Sequence, residues 1–189
     1  MKAVLLNYFT IIKAEIILFL FGQMALNNFI RSIYNPVPVL KYLGVEIGID
    51  TFIWPGITIN CENREKYKLL KIGNHVRILW DVIVDLNATI FIEDYVHIGA
   101  RSSLITHYSL GKTPLGKTEY PETHASVKIL KGSAIAWNCT VLQGSTINQH
   151  SIISVGSVVM SDIPAFSVSM GNPARPIKRI IPKNRKDFE

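Results

Sequence analysis

Cysteine is nearly missing: Cys61 and Cys139 are the only two in 189 residues. Two thiols build no disulfide framework and suit a reducing compartment, which excludes a small stapled secreted scaffold. Charge is sparse as well, at 18% of residues against 48% apolar. That balance excludes a disordered chain and allows one domain, with a small appendage, around a sizeable core. No cluster of His, Cys and Asp stands at metal-ligand spacing, so no metal is expected. A long hydrophobic run is also lacking. In "AEIILFLFGQMAL", Ala14 to Leu26, the uninterrupted apolar core Ile16 to Phe21 falls far short of the ~20 residues that span a bilayer. Lys2 ahead of apolar residues is compatible with a signal peptide, but Glu15 splits the region and no small-x-small site follows. The expectation is a helix docked on the rest of the protein, with a membrane-surface helix as the alternative.

Acidic residues are outnumbered, 14 to 20, for a net charge of +6. Part of the excess is local, in Arg175, Lys178, Arg179, Lys183, Arg185 and Lys186. Such a segment suits nucleic acid, anionic lipid or a phosphorylated cofactor, or simply stands in solvent.

What the chain does have is a six-residue beat. Ile47, Ile53 and Ile59 start it, and Ile72, Ile78, Val84 and Ile90 continue it. Ile92, Ile98 and Leu104 follow in a shifted phase, and Ile129, Ile135, Val141, Ile147, Ile153 and Val159 run without a break. Four residues after each of the last six come Ser133, Cys139, Ser145, Ser151, Ser157 and Ile163, of which only the last is large. A helix repeats near 3.6 and a strand at 2, so six fits a short strand plus a turn. Three beats close one triangular coil, and stacked coils make a parallel β-solenoid. The aliphatic residue points into the prism and the small one fits a tight corner. An ordinary sandwich would instead space its strands by roughly 8–12 residues.

Two stretches break the beat. "CENREKYKLLK", Cys61 to Lys71, is a charged excursion, and Thr106 to Lys128 reads as a long loop from its Gly, Pro, Thr and Glu content. Long loops in compact domains carry function or are disordered. This one opens on His107, a group able to take a proton at neutral pH. His75, His97 and His150 occupy ordinary repeat positions facing solvent, while His124 lies in the loop and can approach His107.

Four segments, "VEIGIDTFIWPGITI", "IFIEDYVHIGARSSLITH", "GSAIAWNCTVLQGSTINQHSIISVGSVVMSDIP" and "SMGNPARPIKRI", within about residues 44 to 181, resemble the hexapeptide-repeat acyltransferases. The sugar and polysaccharide O-acetyltransferases, such as the maltose and galactoside acetyltransferases, are the branch most resembled. The resemblance implies an all-β fold, a left-handed parallel β-helix over 44–165 with the long loop at about 106–128. An N-terminal helical, apolar segment would precede it over 1–43, and a closing turn with a basic tail would follow over 166–189.

The resemblance also implies acetyl-CoA as co-substrate, a homotrimer with sites at subunit interfaces, and a sugar, polysaccharide or lipopolysaccharide intermediate as acceptor. Nucleic acid is then no partner. The expected location is the cytoplasm, with peripheral membrane contact through the N-terminal segment left open. His107 is the expected general base, with direct attack of the acceptor on the thioester. Asp85 either holds the imidazole or bonds the acceptor, and Asn87 can do the same. A plain turn role fits both equally well. His124 is the further acceptor-side candidate. The pantetheine groove would lie beside Ala136, Trp137, Ser154, Val155 and Gly156, and Arg175 and Lys178 would meet the CoA phosphates. Trp137 departs from the small residue usual there, and Tyr108-Ser109 departs from the family's pattern after the histidine. Cys139 sits on a small-residue beat and reads as packing rather than a nucleophile. Two rivals stay open: N-acetylation of a nucleotide-linked amino sugar, and a noncatalytic β-helix scaffold.

Overall fold

The computed structural model describes residues 2–182. Lys183, Arg185 and Lys186 of the basic segment lie outside them. The repeat body is a three-faced parallel β-helix. Its first face stacks Glu46–Ile47, Leu70–Ile72, Ile90–Ile92, Val127–Ile129 and Thr146–Ile147. The second stacks Phe52–Ile53, Arg77–Ile78, His97–Ile98, Ala134–Ile135, Ile152–Ile153 and Ser167–Gly171, closed by Ala174–Arg179. The third stacks Thr58–Asn60, Ile83–Asp85, Ser103–Leu104, Thr140–Val141 and Val158–Val159. Such short strands satisfy their backbone groups only between coils, which explains why the architecture is a stack.

The registers show how the beat builds the coil. Ile129 pairs with Ile147, and Val141 with Val159, each 18 residues on. Ile72 pairs with Ile92, and Val84 with Leu104, each 20 on. The shifted phase is therefore a two-residue insertion at one corner, between Val84 and Ile92. The beat aliphatics Ile53, Ile59, Ile78, Val84, Ile98, Leu104, Ile135, Val141, Ile147, Ile153 and Val159 are all buried, at 0–1% exposure. A fully buried side chain of this size contributes about 1.5–3 kcal/mol. Ser133, Cys139, Ser145, Ser151 and Ser157 are buried at the corners beside them, as expected, and Ile163 is too.

Sharp corners need a left-handed residue, and it recurs three positions before the buried aliphatic. Asp50, His75, Asp81, Tyr95, Arg101, Asn138 and His150 all have φ between 49° and 59°, a conformation that costs a non-glycine residue about 1 kcal/mol or more. His75 and His150 are thus corner residues. His97 lies on a strand with its side chain outward.

Helices make the chain mixed rather than all-β. α1 (Lys2–Ser32) alone has 31 residues, and α2 (Val37–Tyr42) adds a short second helix. Leu26, Ile30, Val39 and Leu40 are buried under the first coils. The Cys61–Lys71 excursion holds a 3₁₀ turn, Arg64–Leu69, tied to α1 by a buried polar knot. In that knot Tyr67 Oη donates to Asn27 Oδ1 at 2.7 Å, and Gln23 Nε2 donates to the same atom at 2.8 Å. Burial pushes the Tyr67 hydroxyl far up. The 106–128 stretch is not a plain loop. It is an antiparallel hairpin pairing His107–Tyr108 with Thr123–His124, carrying α3 (Pro114–Thr118) at its tip.

Candidate active site

His107 stands where the third face hands over to the first, on the first strand of the hairpin. One coil earlier, the same corner carries Asp85 and the two-residue insertion with Asn87. The His107 Nδ1–H donates to Asp85 Oδ2 at 2.7 Å. The same carboxylate oxygen accepts the Thr106 N–H at 2.9 Å and faces the Thr106 hydroxyl at 2.8 Å. Oδ1 accepts from Asn87 Nδ2 at 2.9 Å and, another coil down, from Asn60 Nδ2 at 3.3 Å. The Thr106 Oγ1 also accepts the N–H groups of Asn87 and Ala88, at 3.0 Å each, and so pins the insertion. Burial pushes the Asp85 carboxyl up, but the bonds from His107, Thr106 and Asn87 outweigh it and hold it below its usual value. Asp85 is therefore an ionised group at neutral pH with 2% of its side chain exposed.

Both Asp85 oxygens are engaged inside the protein, an arrangement that suits orienting the imidazole rather than meeting an acceptor. Nδ1 carries the proton, which leaves the Nε2 lone pair free to act as base. The imidazole is 29% exposed, so Nε2 can reach a ligand. Asn87 Nδ2 lies 3.1 Å from His107 Nδ1, and the Asn87 carbonyl accepts from Lys66 Nζ at 2.7 Å. Lys66, on the excursion, is itself paired with Glu62 at 3.0 Å. The hairpin brings His124 in as well. Its ring stacks on His107 with centroids 6.1 Å apart, and its Nε2 meets Glu122 at 3.0 Å. Asn60, Lys66 and Thr106 join the site without any motif of their own in the sequence.

The cofactor candidates gather at another edge, where the second face hands over to the third. Trp80, Ala100, Trp137 and Val155 occupy one place in successive coils, set by the Ile78–Ile98–Ile135–Ile153 register. Trp80 and Trp137 are 43% and 47% exposed, while the small Ala100 between them is 2% exposed. Gly99 lets the adjacent coils approach closely here, because a Cβ there would meet the Ala136 carbonyl carbon at 2.5 Å. Ala136 is half-buried beside it, and Ser154, Val155 and the left-handed Gly156 form the next corner. Arg175 stands second in the closing strand, opposite Met170 at the same edge, and Lys178 lies further along that strand, opposite Val168. Both are exposed. Small residues, exposed indoles and a cation suit a thin arm with an anionic end. Cys139 is fully buried, and burial pushes its thiol up, which suits packing rather than nucleophilic attack.

The two sets of residues lie at opposite ends of the third-face strands. A cavity of about 790 Å³ lies elsewhere, along the first face between Lys71, Phe91, Glu93 and Lys128. It contains none of these residues. Among the described residues no group of three or more His, Cys, Asp or Glu is placed to hold a metal.

No family model matches the chain. Among curated proteins it is similar to dTDP-3-amino-3,6-dideoxy-alpha-D-galactopyranose 3-N-acetyltransferase of Aneurinibacillus thermoaerophilus. That match is 36% identical over 55 residues, which is 29% of each chain. The matched segments span only 22–35% of the length of the first curated relatives. Solved structures similar to it include a hexapeptide-repeat acetyltransferase of Vibrio cholerae complexed with acetyl coenzyme A. Its TM-score is 0.68 at 21% identity, over 95% of this chain and 90% of that one. A maltose O-acetyltransferase of Clostridium difficile has a TM-score of 0.60 at 25% identity, over 78% and 75%. The fold is thus that of hexapeptide-repeat acetyltransferases.

Proposed function

We propose that the protein transfers an acetyl group from acetyl-CoA to a hydroxyl of a sugar or of a polysaccharide or lipopolysaccharide intermediate. The observation that carries this is the His107–Asp85 pair, 2.7 Å apart, with the imidazole 29% exposed at a corner. A hydroxyl is a poor nucleophile at neutral pH. His107 Nε2 takes its proton as the oxygen attacks the thioester carbonyl. The buried Asp85 carboxylate stabilises the imidazolium that forms. Collapse of the tetrahedral adduct breaks the C–S bond, and the imidazolium returns the proton to the departing thiolate. A positioned base of this kind supplies about 10²–10⁴-fold, or roughly 3–5 kcal/mol of barrier.

Pantetheine would lie along the edge by Ala136 and Trp137, beside Ser154, Val155 and Gly156, with Arg175 and Lys178 toward the phosphates. The homotrimer implied by the resemblance would bring the His107 edge of one protomer against the Trp137 edge of its neighbour. Asn87 and His124 would line the acceptor side. Two free cysteines, both buried, support the cytoplasm as the setting.

N-acetylation of a nucleotide-linked amino sugar is the second reading, favoured by the N-acetyltransferase relative. An amine attacks with less help, so the Asp85–His107 pair argues for a hydroxyl. The test is calorimetry with acetyl-CoA, followed by thiol release across sugars, nucleotide sugars and glycan fragments. Expected are cofactor binding and an alkali-labile ester product. An alkali-stable amide product would favour the amine reading, and no binding at millimolar cofactor would leave the scaffold.

A further inference from the structure

Gly22, at φ 79° and ψ −175°, breaks α1 into two segments. The second is held to the body, with Leu26 and Ile30 at 0% exposure and Asn27 in the Tyr67 knot. The first is held along one side only. Ala14 is 1% exposed, Ile11 and Leu18 pack partly against the core, and Glu15 pairs with Arg64 at 2.7 Å. Its other side is uncovered. Leu5, Phe9, Ile12, Ile16, Phe19 and Leu20 recur at spacings of three and four and form one stripe. They are 58%, 62%, 40%, 51%, 88% and 60% exposed. Tyr8 at 65% widens it, and Leu6 at 67% lies just beyond Lys13.

Width and charge identify the occupant. With Tyr8 the apolar arc covers roughly 120° at 100° per residue, broader than the narrow seam of a coiled-coil pair. The only charged residues from Leu5 to Met24 are Lys13 and Glu15. Glu15 is neutralised by Arg64, so the outer face presents no carboxylate. Lys13 flanks the stripe, and Arg31 and Lys41 are exposed near the end of α1 and in α2. By length and composition Leu5–Ser32 could cross a membrane. The packed side and the Glu15–Arg64 pair argue instead for a helix lying along a surface. We infer that the first segment of α1 docks in the plane of an anionic phospholipid bilayer and seats its Leu5–Phe9–Ile12–Ile16–Phe19 stripe among the acyl chains. This inference stands apart from the acyl-transfer reading.

The test is co-sedimentation of the full chain with phosphatidylcholine vesicles, with and without phosphatidylglycerol. Size and acetyl-CoA affinity are measured alongside. Binding to the phosphatidylglycerol vesicles is expected. The double variant Phe9→Asp, Phe19→Asp should weaken it by at least about tenfold, since both rings leave the apolar phase, with the same melting temperature and cofactor affinity. No sedimentation at either composition, or binding unchanged in the double variant, would overturn the inference. So would a variant that loses its oligomeric state while the parent ignores vesicles, since a second copy would then cover the stripe.

Discussion

Asp85→Asn removes one negative charge and keeps the shape. In the native protein Oδ2 gathers the His107 Nδ1–H at 2.7 Å and the Thr106 N–H at 2.9 Å, while Oδ1 accepts the amides of Asn87 and Asn60. An asparagine cannot satisfy both sides. If its carbonyl keeps the Oδ2 place, its NH₂ faces two NH₂ donors. If it turns, the NH₂ faces His107 and Thr106, and the imidazole is driven toward the tautomer whose Nε2 bears the proton and cannot accept one. Either way the imidazolium formed during transfer loses its counter-charge. A hydrogen bond to a charged group contributes about 1.5–3 kcal/mol, and the wrong tautomer adds to that. The expected fall in kcat is therefore about 10²–10³-fold at 1.4 kcal/mol per tenfold. The assay is thiol release from acetyl-CoA with a working acceptor, with calorimetry to show unchanged cofactor affinity. A folded Asp85→Asn protein retaining kcat within threefold of its parent would refute the reasoning.

Lys66 acts through Asn87, whose carbonyl it holds at 2.7 Å. Lys66→Met should lower kcat about tenfold, as expected for one charge-assisted bond. Lys66→Arg should restore most of it, and Lys66→Met should add nothing in an Asn87→Ala background. Effects that simply add would contradict the coupling. Ile135→Ala empties a fully buried place inside the coil and should cost about 2–5 kcal/mol in urea unfolding, with the cofactor edge at Trp137 disturbed as well. Asp85 has its folded pKa lowered, so its contribution is complete above the unfolded value near ~3.9 and fades as pH falls through the folded one. The stability gap between the native chain and Asp85→Asn should narrow as pH falls below about 4, by urea midpoints. A gap that widens below about 4 would reverse the assigned sign.

The coil was legible because its determinant is local: one inward aliphatic and one small corner residue per six, with no long-range information needed. The phase shift between Ile90 and Ile92 was legible too, but its meaning was not. Only the stack shows that the two extra residues push Asn87 toward His107. Asp85 and His107 could be named, yet the choice between orienting and binding depended on burial, which a sequence does not state. The hairpin at 107–124 was hidden by α3 and its Gly- and Pro-containing tip, although the β-favouring Thr106-His107-Tyr108 and Thr123-His124 flank it. Asn60 could have been found by counting, since it pairs in register with Asp85. Lys66 could not, because nothing in its own stretch points to Asn87. The apolar run Ile16 to Phe21 understated α1, whose helix continues through Lys13 and Glu15 because Glu15 turns toward Arg64.

The most direct test of the catalytic claim compares His107→Ala with its parent in single-turnover acetyl transfer at saturating acetyl-CoA. The account predicts a rate lower by about 10²–10⁴-fold with cofactor affinity unchanged. Undiminished transfer by a folded, cofactor-binding variant would contradict it.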